Sequence, residues 1–354
     1  MTATPNTTVI EVRTSPHLHS PLSVDMIMRN VVYAMLPLCA YAVWTFGISA
    51  AALLITTTLT AVATEHLICR FNGKPSTIPD GSVIITGVLL GLTLPPGLPL
   101  WMAVIGGIIA VGPGKLLFGG LGFNVFNPAL VGRAFLQAAF PIAITAYTPS
   151  FAVNRFTEFI PSSLAYPFMK APPIAEWIAN VRLDAFTGAT PLMLQKFDHI
   201  STDPWAMLMG QRAGSAGEIP TLLILLCGAY LVFRKMMDWR ITAAMLSGAA
   251  ATSAVFHWSS PDKYADPFFT LVTGGLMLGA VFMATDPVAS PVTPRGMWIY
   301  GILMGVLTVL IRCLGGLAEG VMYAILLGNA LAPLIDNLTQ PKTYGARKAA
   351  AVAR

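Results

Sequence analysis

Charge is what this 354-residue chain has least of: Asp, Glu, Lys and Arg make up 10% of it, where a soluble globular domain carries about 25%. That shortage, with 55% hydrophobic residues and a mean hydropathy of +0.69, excludes an ordinary water-soluble domain and makes lipid the solvent. Cysteine is scarce too. Cys39, Cys69, Cys227 and Cys313 lie in or beside apolar runs without paired spacing. They read as small buried hydrophobes, not as a disulfide framework or metal ligands. No nucleotide-binding motif is present, and residues 1–25 are polar without an early apolar core, so no cleavable signal peptide is expected. The formal charge of +5 does not mark a nucleic-acid binder. Its Lys and Arg residues are scattered at the ends of apolar runs, which is the orientation signal of a membrane protein.

What the chain does have is long apolar runs. A spanning helix needs about 20 mostly apolar residues, and that rule predicts an all-α integral membrane protein with about ten transmembrane helices. They fall near 30–48, 50–69, 82–95, 99–116, 127–146, 220–234, 240–258, 268–285, 296–313 and 318–336. With the N-terminus in the cytoplasm, Arg13, Arg29, Arg70, Lys74, Lys115, Arg234, Lys235, Arg240, Arg295 and the basic C-terminal residues all fall inside, as the positive-inside rule asks. The predicted organisation is then a cytoplasmic tail (1–28), a first five-helix repeat (29–146), a periplasmic segment (147–219), a second five-helix repeat (220–337) and a cytoplasmic tail (338–354).

Two echoes suggest a duplication. Thr86–Gly91 resembles Thr273–Gly279, and Gly119-Gly120-Leu121 resembles Gly315-Gly316-Leu317, in the same order. Five spans is an odd number, so the second copy would be inverted, as in transporter folds that place their sites at the repeat interface. Recurrent glycine packing in membrane helices is the competing explanation. Pro95-Pro96-Gly97-Leu98-Pro99 and Pro113-Gly114 interrupt spans, and Asn127-Pro128 supplies a cap with proline at the first helical position. Non-helical backbone at membrane depth survives only around protein or a water-filled cavity, so these breaks predict an interior crevice; ordinary helix ends are the alternative.

The polar interval contains Asp184-Ala185-Phe186-Thr187-Gly188-Ala189-Thr190-Pro191-Leu192. Before it, Ile174, Trp177, Ile178 and Val181 recur at helical spacing and predict a short helix on the membrane surface. One reading of the nine residues is a Thr-Gly turn ahead of a proline-started helix. The other is a modification site, since Gly188 and Ala189 leave the backbone accessible and the Thr190 hydroxyl can form a phosphoester.

Ionisable residues within spans are costly and functional by default. Glu65 and Glu319 lie deepest and are candidates for an ion path. Asp80, Asp286 and Asp336 fit interfacial caps, and His66 a local hydrogen bond. Arg133 suits either a phosphate partner or an anchor.

In order along the chain, Gly119-Gly120-Leu121-Gly122-Phe123-Asn124-Val125-Phe126-Asn127-Pro128-Ala129, Thr187–Leu192, Thr285-Asp286-Pro287 with Arg295-Gly296, Gly315-Gly316 with Glu319-Gly320-Val321, and Tyr344-Gly345 resemble one family. It comprises the D subunits of Rnf-type ion-translocating electron-transport complexes, with the similar B subunits of sodium-pumping NADH:quinone oxidoreductases. The short polar tail favours the Rnf branch. The resemblance implies a bacterial inner-membrane protein, inactive alone, in a complex that couples ferredoxin/NAD electron transfer to sodium or proton movement. It implies FMN held covalently through its phosphate on Thr190, with Asp184, Thr187, Gly188 and Ala189 as the attachment signal; Thr187 replaces the usual Ser and keeps the hydroxyl. A non-covalent riboflavin, a second covalent-flavin subunit, iron–sulfur subunits and a flavin transferase are the further cofactor and partners it suggests. The rival expectation is a urea-channel-like inverted-repeat transporter without a redox role.

Overall fold

A computed structural model describes residues 23–341 apart from 76, 168, 170–189, 199–206, 209–213 and 262. The predicted surface helix at 174–181, and Asp184, Thr187, Gly188 and Ala189, lie outside the described residues.

The described chain is helical, and the helices start where local chemistry allows. Ser23 opens α1 (Val24–Phe46) by accepting Met26 N–H at 3.2 Å. Only Gly47, at φ +70°, separates α1 from α2 (Ile48–Phe71). A Cβ there would sit 1.8 Å from the Arg155 carbonyl oxygen, so glycine is obligatory at this hairpin. The first half continues with α3 (Ser82–Thr93), α4 (Leu100–Val111) and α5 (Pro128–Ala139). The second half holds α6 (Thr221–Phe233), α7 (Trp239–Ser259), α8 (Pro267–Val272), α9 (Leu276–Leu278, continued by a π turn over Gly279–Met283), α10 (Pro294–Leu314) and α11 (Val321–Thr339). A polar cap followed by proline starts three of these helices: Asn127-Pro128, Asp266-Pro267 and Thr293-Pro294. Proline costs nothing there because its missing N–H would be unpaired anyway.

Among the described residues, five segments are long and apolar enough to cross a membrane: Val24–Phe46, Ile48–Phe71, Leu100–Phe118, Pro294–Leu314 and Val321–Thr339. Ser82–Thr93 and Thr221–Phe233 are shorter apolar helices. Two predicted spans are shorter or more broken than expected. The one at 127–146 stops at Ala139, before a separate turn at Pro141–Ile144. The one at 268–285 is cut at Thr273–Gly275, where Gly274 turns at φ +68°.

Close backbone packing holds each half together. In the first, α2 packs on α3 and α4, and α4 on α5; in the second, α7 packs on α8 and α10, and α10 on α11. Small residues permit it. Gly87 lies 2.6 Å, measured from a notional Cβ, from Thr58 Cα, and Gly305 lies 2.2 Å from the Met245 carbonyl oxygen. Without a hydrophobic force between helices in lipid, such contacts supply much of the association. The Thr-Gly echo does not mark equivalent places: Thr86-Gly87 sits within α3, whereas Thr273-Gly274 is the break between α8 and α9.

Candidate functional site

At the end of α3 and at the break between α8 and α9, loose backbone groups find specific partners. At the end of α3, the carbonyls of Leu92 and Leu94 accept N–H groups of Gly217 (2.7 Å) and Ala216 (3.1 Å). Ser162 and Ser163 hydroxyls donate to the carbonyls of Gly97 (2.7 Å) and Pro96 (3.1 Å). At the second break, the Arg312 guanidinium donates to the carbonyls of Thr270 (2.8 Å) and Thr273 (3.0 Å), and Thr221 Oγ1 donates to the Val272 carbonyl at 3.2 Å. Every one of these groups would otherwise be a costly buried polar atom.

Between the breaks stands a charge network. Arg133 on α5 donates to Glu218 Oε1 at 2.9 Å and to Glu319 Oε2 at 2.6 Å. Arg133 is buried, Glu218 is 3% exposed, and Glu319 is half-buried. Gly275 lies against Glu218, where a Cβ would stand 2.8 Å from Oε1; at Gly274 a Cβ would stand 2.9 Å from Arg312 Nη2 and 3.1 Å from Glu319 Oε1. Two carboxylates and two guanidiniums thus cluster tightly, and a methyl added at either glycine would have to displace one of their charged ends. Isolated, each would be expensive to bury; paired, they hold one geometry.

This network forms one wall of a cavity of about 260 Å³, which Tyr147, Gln137 and Thr190 also line. Thr190 is 7% exposed and caps the single turn Pro191–Met193, its Oγ1 accepting Met193 N–H at 3.3 Å. The proline-started turn expected at Pro191 is therefore present, the Thr-Gly turn expected before it lies outside the described residues, and Thr190 lines a cavity. Six residues on, Lys196 Nζ donates to the carbonyls of Gly315 (2.6 Å) and Leu317 (2.8 Å), fixing this turn to the loop before α11. Burial lowers the Lys196 pKa, against an opposing pull from Cys313.

A second charge cluster lies at the opposite end of the helices. Glu65 (0% exposed) pairs with Lys115 (2%) at 2.7 Å. Lys115 also donates to Ser82 Oγ at 2.7 Å, and Thr77 donates to Glu65. Lys115, counted among the inside positive charges at the end of the predicted 99–116 span, is thus a buried ion-pair partner. A cavity beside it is lined by the starts of α1, α3 and α5 and the ends of α6 and the π turn. Asp80 accepts from Ser82 N (2.7 Å), Asp286 from Val288 N (3.0 Å) and Asp336 from Val292 N (3.1 Å), so all three serve as caps or ties. His66 is exposed on α2.

Of the ionisable candidates, Glu319 and Arg133 are brought together with Thr190; Glu65 stands apart from them. Sequence reasoning missed Glu218. Its signal was an acid inside a run of small residues, Gly214-Ser215-Ala216-Gly217-Glu218, directly before a span.

A family model described as NQR2, RnfD, RnfE matches residues 11–345. The chain belongs to that family. One relative is the D subunit of the proton-translocating ferredoxin:NAD(+) oxidoreductase complex of Clostridium ljungdahlii, 38% identical over 96% of this chain and 97% of that one. The D subunit of the Na(+)-translocating ferredoxin:NAD(+) oxidoreductase complex of Acetobacterium woodii is 38% identical over 96% of each chain. The D subunit of the ion-translocating oxidoreductase complex of Halorhodospira halophila is 37% identical over 95% of each. The family match spans both cavities and the polar interval.

Proposed function

We propose that this chain is the flavin-carrying membrane subunit of a multi-subunit, ion-translocating ferredoxin:NAD oxidoreductase in the bacterial inner membrane, with FMN esterified to Thr190. One observation carries the reading: the last Thr of the Thr-Gly-Ala-Thr sequence lines a cavity that Arg133 also lines. The residues present suit a phosphoester there. A phosphate oxygen in place of the hydroxyl can still accept Met193 N–H, and the Glu–Arg network gives the cavity a fixed polar wall. FMN, when bound, supplies one- and two-electron transfer; the protein contributes position and electrostatics. Tyr147 and Gln137 offer polar contacts, while Leu278, Met283 and Met322 keep one side of the cavity apolar.

The two-repeat reading gains support from the cavities. The loop between the fourth and fifth helices contains the Gly-Gly pair in each half. In the first half it leads to Asn124 and Asn127 at the Lys115-side cavity, and in the second Gly316 lines the Thr190-side cavity. Equivalent loops at opposite ends are what inverted repeats of five helices produce. Glu65 and Glu319, one near each cavity, remain the ion-path candidates. Relatives named for protons and for sodium are equally similar, which supports sodium or proton movement without favouring either.

The test is a denaturing gel of the complex. Flavin fluorescence should stay with this chain's band, and mass spectrometry of the tryptic peptide Leu183–Lys196 should carry FMN on Thr190. A dark band, as a channel without redox function would give, overturns the proposal.

A further inference from the structure

Beside the Thr190 cavity, and separated from it by Phe197 and Ala318, lies a second pocket of about 140 Å³. Its chemistry is unlike the first. Three cations line it at three depths: Lys263 is exposed, Lys196 is half-buried, and Arg312 is 5% exposed. Among the described residues no acid lines it. Asp266 is near in sequence but is engaged as the cap of α8, accepting Phe268 N–H at 2.9 Å. Glu319 acts on Arg312 but belongs to the neighbouring cavity.

The cations have donors to spare. Arg312 spends its two terminal nitrogens on the carbonyls of Thr270 and Thr273, which leaves its Nε–H buried without a partner. A buried, unsatisfied donor on a charged group is costly and needs an explanation. Lys196 uses two of its three ammonium protons on the carbonyls of Gly315 and Leu317. Lys263 sits 5.3 Å from the Tyr264 ring centroid, a contact that leaves its protons free. The rings of Phe256 and Tyr264 stack edge to face at 5.0 Å and make one wall rigid. The Cys313 thiol also lines the pocket, within electrostatic reach of all three cations.

We infer that this pocket binds a phosphoryl anion, held by Lys263 at the rim, Lys196 midway and the Arg312 guanidinium at the base. A phosphoryl group matches the fork of an arginine and the point charges of lysines, and the pocket admits a headgroup-sized ligand. The anion comes either from an acidic phospholipid or from free phosphate. The site is independent of the flavin proposal, because none of its residues belongs to the attachment sequence and its occupancy can be read without a flavin.

Cys313 provides the readout. In the purified complex, its modification rate is followed by peptide mass with methanethiosulfonate reagents of equal size, one sulfonate and one trimethylammonium. The anionic reagent should react at least about tenfold faster, the preference three nearby cations create at short range, and Lys196→Gln with Lys263→Gln should erase the difference. In phosphatidylcholine nanodiscs, millimolar inorganic phosphate should slow the anionic reagent if free phosphate is the ligand. Slowing by phosphatidylglycerol nanodiscs without added phosphate identifies a lipid headgroup. Equal rates for the two reagents, no slowing by either phosphoryl source, or a Cys313 that reacts with neither reagent would each overturn the inference.

Discussion

Two hydroxyls three residues apart, Thr187 and Thr190, are the most consequential pair of residues in the chain. Thr190→Val keeps the shape but removes the only atom able to form the ester, so covalent FMN should vanish. Thr187→Val leaves that atom in place and should reduce the yield without moving the site. Flavin mass on the Leu183–Lys196 peptide decides both; FMN retained in Thr190→Val refutes the assignment. Arg133 acts through its charge. Arg133→Met strands Glu218 and Glu319, which it contacts at 2.9 and 2.6 Å, and breaking a buried pair typically costs about 3–5 kcal/mol. Thermal unfolding of the complex in detergent should register that loss, and Arg133→Met combined with Glu218→Gln should recover part of it. A double variant as unstable as the sum of the two singles would mean that the residues do not act as one network.

At the scale of elements, the breaks matter more than the helices. Gly274 combines φ +68° with a closest approach of 2.9 Å to Arg312. Gly274→Ala should therefore lower the melting temperature and disturb the second break, whereas Gly316→Ala, with open space around it, should be silent. A comparison of the two variants by thermal scanning isolates the backbone effect from the simple addition of a methyl group. The Glu65–Lys115 pair fastens the end of α4 to α2 and α3. Lys115→Met leaves a fully buried carboxylate and should destabilise the fold by about 3–5 kcal/mol, while Lys115→Met with Glu65→Gln should be milder. If the single change proves neutral in a melting assay, the pair is not the fastening that its geometry suggests.

At the scale of the whole molecule, two cavities open from opposite ends and approach one another across α5. Asn127 and Pro128 line one, and Leu130, Arg133 and Gln137 line the other. The proposed topology puts Thr190 on the outer side, and on it a cysteine introduced near Ser201 should react with an impermeant thiol reagent on intact cells, and one near Ala350 should not. Equal labelling would reject the topology. The relatives are subunits of oxidoreductase complexes, so detergent-solubilised material should migrate as a large assembly with iron–sulfur and flavin subunits.

Much of this was readable from the residues alone. The shortage of charge determined that the chain lives in lipid, because backbone and side chains must then be satisfied internally. Proline and glycine runs marked where helices stop, since proline removes a donor and glycine admits the turns at 47 and 274. Family membership was legible because motifs such as Asn127-Pro128 and Thr187–Leu192 are local and ordered. The tertiary structure decided the rest. Glu65 and Lys115 are 50 residues apart, and Arg133 and Glu319 are 186 apart, so no local pattern distinguishes a paired charge from a free one. Lys115 counted as an inside charge at a span end and is a buried ion-pair partner; Glu218 carried no expectation and joins the central network. Spacing along the chain predicts which residues share a helix face, but only packing brings together the ends of separate, broken helices.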